Sequence, residues 1–269
     1  MQWTITLGRF DVSVAVMTMS GFQVALRVGK LERLCRIVGY LYKKRNGYIR
    51  VRTGEPDFSD LPPKRHDWSH TVYGDVKEVI PEDAPTQLGK RLVHTVLNDA
   101  NLHHDMVTGR SVTGILHFLN QTPIDWYAKK QATAEAATYG SEFVSARTAT
   151  EQILAMRTTL RYLGVEVHGP TRLFGDNSSV VTSGSVPDSP LKKRHHALSY
   201  HVTREAIASG AMDFQLVPGD ENASDILSKH WAYSAVWPLL KSVLFWPGDT
   251  GDLFGAKDTD SPIPDLDVK

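Results

Sequence analysis

Residues 92–99 read Leu-Val-His-Thr-Val-Leu-Asn-Asp, residues 109–118 read Gly-Arg-Ser-Val-Thr-Gly-Ile-Leu-His-Phe, and residues 123–128 read Pro-Ile-Asp-Trp-Tyr-Ala. Each run is short, rich in β-branched and aromatic residues, and bounded by turn chemistry such as Asn120-Gln121-Thr122. They predict three strands in an antiparallel meander, with Asp99 at the end of the first. Downstream the period changes to helical. Ala132 to about Arg147 shows an Ala-rich face, and Ala149 to Leu163 aligns Ile153, Met156 and Leu160 before Gly164 supplies a stop. Thr171 to Asp176 reads as a buried strand, Leu191 to Ser209 as a helix, Met212 to Val217 as a strand and Ser224 to His230 as a last helix. The order βββ, αα, β, α, β, α predicts an α/β fold, a mixed five-stranded sheet with helices on its faces.

Working outward, Val12, Val16, Met19 and Phe22 recur at helical spacing in residues 9–22. Leu31, Leu34, Val38 and Leu41 do the same in Lys30 to Arg45, which ends at the Asn46-Gly47 turn. Residues 53–90 hold five of the 14 prolines and eight acids, a composition that predicts a linker without a core element. The chain has 269 residues, 41% hydrophobic and 22% charged, which excludes a disordered or collagen-like protein. A single cysteine, Cys35, excludes an internal disulfide and a multi-Cys zinc cage. No run reaches the roughly 20 apolar residues of a membrane span, and Met1 opens onto no secretory leader, so an intracellular protein with no membrane partner is expected. The 30 basic and 30 acidic residues cancel but are segregated. Residues 27–52 hold nine basic residues and one acid, and the last 24 residues hold six aspartates and two lysines. The basic stripe suits either a phosphate-bearing partner or a solvated helix face, and the acidic tail reads as disordered.

Four acids fall at particular places in this order: Asp99, Glu142 inside the first long helix, Asp176 closing the fourth strand and Asp225 opening the last helix. Each alone is as well explained as a turn, cap or solvated residue. Glu142, however, lies in a small and apolar neighbourhood, where an unpaired carboxylate would cost several kcal/mol. Convergence of all four would suit hard, oxygen-seeking ions such as Mg2+ or Mn2+, two of which can drive phosphodiester cleavage.

Six ordered blocks carry a family resemblance: Asn98-Asp99-Ala100-Asn101, Trp126-Tyr127-Ala128-Lys129-Lys130-Gln131, Ser141-Glu142-Phe143, Asp176-Asn177-Ser178, Lys193-Arg194-His195 and Asp225-Ile226-Leu227-Ser228-Lys229. They resemble the ribonuclease H domain of copia-type LTR retrotransposon polyproteins. Family versions read Ser-Asp-Ala-Asp, Trp-x-Ser-Lys-Lys-Gln, Ala-Glu-Tyr, Asp-Asn-x-Ser-Ala, Thr-Lys-His and Ala-Asp-Ile-Leu-Thr-Lys. Leu7-Gly8-Arg9-Phe10-Asp11-Val12 and Arg36-Ile37-Val38-Gly39-Tyr40-Leu41 look like the thumb and connection part of the same reverse transcriptase polyprotein. Departures are Asn101 for the second Asp of the first block and Ser141 for Ala.

The resemblance implies a ribonuclease H-like fold and a domain plan: 1–62 a thumb and connection remnant, 63–90 a Pro-rich acidic linker, 91–232 the ribonuclease H domain, and 233–269 an extension with an acidic tail. On that plan 91–232 is expected to suffice for activity. The resemblance also implies hydrolysis of the RNA strand of RNA/DNA hybrids with two Mg2+ or Mn2+ ions. Asp99, Glu142, Asp176 and Asp225 would be catalytic and metal-binding. No Tyr-x-Asp-Asp motif occurs, and Tyr73-Gly74-Asp75-Val76 is no substitute, so polymerisation is not expected. The chain is expected to be the C-terminal piece of a longer polyprotein, begun at an interior Met, with the polymerase region as a partner. Its expected place is the cytoplasm or retrotransposon particles, with the nucleus left open.

A hybrid is held by its backbone, which calls for basic and hydrogen-bonding groups around the acids. Lys129, Lys130, Lys192, Lys193, Arg194, His195, Asn177 and Ser178 are the candidates, and each lysine is equally well an ordinary surface residue. His195 and His196, with His103, His104 and His201, raise a zinc site, which the missing cysteines and the adjacent pairing disfavour. Trp126 and Tyr127 alternate on a strand and are expected in the core. Two other readings stay open: a catalytically idle fold that binds nucleic acid or braces a polymerase, and an integrase or transposase. The latter is disfavoured because Glu142 precedes Asp176.

Overall fold

A computed structural model describes residues 1–22, 28–61, 66–167 and 169–246. The acidic tail and Pro62-Pro63 lie outside the described residues. The N-terminal segment holds α1 (Gln2–Thr6), a 3-10 turn (Phe10–Val12), α2 (Ser13–Ser20) and α3 (Val28–Lys43). Strand β1 (Leu88–Leu92) precedes the meander β2 (His94–Asp105), β3 (Arg110–Leu119) and β4 (Thr122–Lys130), which α4 (Thr138–Tyr162) follows. Then come β5 (Val165–Val167), β6 (Thr171–Gly175), α5 (Ser178–Ser185), a 3-10 turn (Arg194–His196), α6 (Ala197–Ala208), β7 (Met212–Leu216), α7 (Asp225–Ser228) and α8 (Tyr233–Val243).

The main sheet runs β4-β3-β2-β6-β7, antiparallel across the meander and parallel from β2 through β6 to β7. This is the expected five-stranded mixed sheet with helices on its faces. A separate parallel pair joins β1 to β5. Period-two alternation sorts the strands' side chains between two cores. Val96, Ile115, Leu173 and Phe214 face α4, α5 and α6. Leu97, Leu116, Phe118 and Trp126 face α7, α8 and Phe10. Trp126 stacks 5.0 Å from Phe10, whereas Tyr127 packs with the opposite core, as their alternation requires.

Several elements depart from the sequence reading. Asp99 lies inside β2 rather than at its end, because pairing of Asn98, Asp99 and Ala100 with Ile115, Gly114 and Thr113 overrides the weak strand propensity of Asn and Asp. The two helices expected between 132 and 163 are one, since no Gly or Pro interrupts residues 141–163. It starts only at Thr138, because Gln131 spends its side-chain amide on Thr113 Oγ1 and the Ser141 carbonyl, holding the preceding loop open. Helix α5 is too short for periodicity to reveal, and Pro238 inside α8 disguises its apolar face of Val236, Leu240 and Val243.

Packing crosses the positions 90 and 232 of the expected domain plan. Residues 66–90 are irregular but not loose. Buried Trp68 and Tyr73 join the larger core, and with Tyr200 they surround the Arg204 guanidinium, Cζ lying 4.7, 5.5 and 4.5 Å from the three rings. Glu78 accepts two hydrogen bonds from Arg157, at 2.7 and 3.0 Å, and pairs with Arg161 at 2.8 Å. Beyond residue 232, Val236, Leu240, Val243 and Trp246 of the C-terminal extension cover α7 together with Phe10. Tyr48 and Phe245 form a β-bridge that ties the N-terminal segment to that extension. Arg9 secures the same segment through both Asp11 oxygens and the Lys44 carbonyl.

Candidate active site

The parallel register pairs Leu97 with Phe174, and two residues further along it Asp99 comes beside Asp176. Both lie just past the stretch where β2 and β6 pair in parallel, near the carboxyl end of β6, where open α/β sheets commonly place their ligands. Helix α4 crosses β2 here. Ser145 Oγ donates to the Asp99 carbonyl at 2.9 Å and Asn98 Nδ2 donates to Ser145 Oγ at 3.3 Å, which brings Glu142, one helical turn earlier, over the strand. Asp99, Glu142 and Asp176 each offer one carboxylate oxygen within 4.8 Å of the other two.

Helix α7 is held down by a small-residue device. A Cβ on Gly114 would lie 2.7 Å from the Ser224 carbonyl oxygen and 3.0 Å from the Leu227 backbone, so only glycine lets the helix approach β3 this closely. Asn222 Nδ2 donates to the Asn98 carbonyl at 3.0 Å, and Asn222 Oδ1 accepts from Ser224 Oγ at 2.6 Å. Asp225 thus arrives beside Asp99, but it is not in the three-carboxylate cluster. Lys229, one turn on, stands between them. Its ammonium donates to Asp225 Oδ1 at 2.6 Å and to Asp99 Oδ1 at 3.1 Å, and the Ser228 hydroxyl donates to Asp99 Oδ2. The expected convergence of four acids is therefore three together and a fourth joined through lysine. A lysine four residues after a helix-opening Asp is a sequence signal for such an i,i+4 pair.

Electrostatics follow from crowding. Burial, reinforced by Asp99 and Asp176, pushes the Glu142 carboxyl well above its usual range. Burial and Asp99 also raise Asp176. Asp225 is raised by burial and Asp99 despite its contact with Lys229, because two acids share one ammonium. Burial opposes charge on Lys229, yet the two aspartates outweigh it and its pKa rises. Acids that hold protons for want of positive charge are the donor set a divalent cation would satisfy, and all-oxygen ligation suits Mg2+ or Mn2+.

The other expected contact residues are scattered. Lys130 is engaged by Asp105 at 2.8 Å. Lys129 is exposed at the edge strand β4, two strands from Asp99. Asn177 Oδ1 caps α5 by accepting from the backbones of Ser179 and Val180, and Ser178 is exposed beside it. Lys193, Arg194 and His195 are exposed ahead of α6, where Lys192 lies over the Tyr139 ring at 4.8 Å. Of the five histidines weighed for zinc, His201 meets Tyr73 and His104 meets Thr18, so the five do not form one cluster.

No protein-family model matches the chain. Over 141 residues, 52% of its length, it is 26% identical to the retrovirus-related Pol polyprotein from transposon RE2 of Arabidopsis thaliana, and 25% identical over the same span to that from transposon RE1. The chain resembles copia-type retrotransposon Pol polyproteins. It spans about 10% of the length of these relatives. Solved structures similar to it include the N-terminal RNase H domain of a Mycobacterium tuberculosis protein, fused to maltose binding protein, with a TM-score of 0.41 and 13% identity over 56% of this chain and 98% of that one. The foamy viral protease-reverse transcriptase in complex with RNA/DNA hybrid is also similar, with a TM-score of 0.35 and 13% identity over 77% of this chain and 26% of that one.

Proposed function

We propose that this chain is a ribonuclease H that hydrolyses the RNA strand of RNA/DNA hybrids during retrotransposon reverse transcription. The observation that carries the reading is the convergence of buried Asp99 and Glu142 with half-buried Asp176, one ligand oxygen from each within 4.8 Å of the others, on a ribonuclease H-like sheet. These three would hold Mg2+ or Mn2+, with Asp225 completing the set once Lys229 yields it. When bound, the ions supply charge to activate a water and to stabilise the leaving oxygen. The chain's own residues orient and bind. Ser145, Ser228 and Asn222 fix the strand and helix that carry the acids, and α4 shields them on one side. Lys193 and Arg194, exposed ahead of α6, would bind phosphates, with Ser178 as a hydrogen-bonding neighbour after Asp176. Lys129, Asn177 and His195 stay in the proposed contact set with weaker support, and Lys130 would have to leave Asp105 to join it.

The polymerase region of the parent polyprotein is the proposed protein partner, and the cytoplasm or the element's particles the proposed location. Among the described residues no helix is long and apolar enough to cross a membrane. The Lys229 ammonium between Asp99 and Asp225 is the one observation that favours the idle, binding-only reading. A gel assay on labelled hybrid decides between the two. Cleavage that requires Mg2+ and disappears in Asp176→Asn supports the nuclease. Binding without cleavage supports the idle fold.

A further inference from the structure

Away from the acidic cluster, three groups with metal-ligand chemistry face one another where the loop before α4 meets the start of α6. Glu135 Oε2 lies 3.8 Å from His195 Nε2 and 3.9 Å from His196 Nε2, and the three ligand atoms fall within 4.8 Å of one another. These separations are too long for direct hydrogen bonds. Among the described residues, neither Glu135 Oε2 nor His196 Nε2 has a hydrogen-bond partner, although the two side chains are only 9% and 3% exposed.

The space between them is kept open. A Cβ on Gly140 would lie 2.5 Å from Glu135 Oε2 and 2.8 Å from His196 Cε1, so any larger residue in the first turn of α4 would press on both groups. The loop is anchored from behind, where His103 Nε2 donates to the Glu135 carbonyl at 2.8 Å and Thr133 Oγ1 donates to Glu135 Oε1 at 3.2 Å. The free oxygen is thereby aimed at the two rings.

We infer that Glu135, His195 and His196 form a transition-metal site, for Zn2+ or a similar borderline ion, separate from the Asp99 cluster. Two imidazoles and one carboxylate are a ligand set such ions accept, with one position left for water. Ligand atoms around a tetrahedral zinc stand about 3.4 Å apart, so each of the two Glu135–histidine separations would close by roughly 0.5 Å on binding. An ion there would tie the loop leading into α4, the helix that carries Glu142, to the segment holding Lys193 and Arg194. The sequence obscures the site because Glu135 lies 60 residues from the histidine pair, and a search confined to histidine and cysteine passes over it.

The test uses the full chain with millimolar Mg2+ present to occupy the oxygen-only cluster. Zn2+ binding is followed by calorimetry, and Co2+ by its visible absorption bands. One Zn2+ equivalent is expected, together with a Co2+ spectrum showing nitrogen ligation. Both should weaken at least about tenfold in Glu135→Gln and in His195→Gln and persist in Asp99→Asn. Because His195 is exposed, its replacement leaves the fold standing, which far-UV circular dichroism would verify. Zn2+ binding unchanged in His195→Gln, lost in Asp99→Asn, or absent from the folded parent chain would overturn the site.

Discussion

The Lys229 ammonium lies 2.6 Å from Asp225 Oδ1 and reaches Asp99 Oδ1 at 3.1 Å, so one ammonium is shared between two acids. Burial and the neighbouring Asp99 raise Asp225 while Lys229 is held charged, an arrangement of two acids and one base that stays short of positive charge. Lys229 would therefore compete with a divalent ion for the same oxygens.

Replacing Lys229 with Gln should tighten Mg2+ binding severalfold, read by calorimetry, and lower stability without ions by about 1–3 kcal/mol. The cost stays below that of a fully buried pair because 30% of the Lys229 side chain is exposed. Unchanged Mg2+ affinity would show that the lysine does not compete.

Chemistry and binding should separate at the cluster. Asp99→Asn and Asp176→Asn are expected to abolish hybrid cleavage and to leave hybrid binding intact or stronger, since each removes charge that repels phosphates. Lys193→Glu should instead weaken binding and flatten its salt dependence, because phosphate contacts act through counterion release. Gel shifts at several salt concentrations distinguish the two behaviours.

Glu78 offers a pH test remote from the acidic site. Burial alone would raise its carboxyl, but Arg157 and Arg161 outweigh burial and hold it at about 2. With the folded pKa below the unfolded one, its stabilisation is complete above the unfolded pKa and is lost as pH falls from about 4.5 toward 2. Glu78→Gln should cost about 2–3 kcal/mol at pH 7 in urea unfolding, with the gap to the parent chain closing below pH 4. A gap independent of pH would assign the effect to packing.

Gly114→Ala tests the approach of α7 to the sheet. The added methyl meets backbone rather than a flexible side chain, so the helix must lift, at about 1–3 kcal/mol. Thermal unfolding reads that loss, and cleavage should fall further than stability because Asp225 moves with the helix.

A fragment of residues 91–232 should unfold at lower temperature and aggregate more than one of residues 66–246. It exposes Leu116 and Leu227 by losing α8 and strips Trp68 and Tyr73 from Arg204. Equal midpoints by calorimetry would support the shorter boundary.

The sequence alone determined the local events. Strand periods around Val96, Ile115 and Trp126 were legible because each strand has one face toward each core, and the turns at Asn120 and Gly164 were legible because their residues accept positive φ. Asp99, Glu142 and Asp176 were legible as candidates, since each stands in or beside a strand or on a helix whose position the element order dictates. Tertiary structure alone decided which groups meet. Lys229 reaches Asp99 across 130 residues, Glu135 reaches the histidines across 60, and Trp68 and Tyr73 reach Arg204 from a stretch whose prolines and acids read as linker. Periodicity reports which face of an element is buried but not what lies opposite, and charge pairing and ligand convergence depend on what lies opposite.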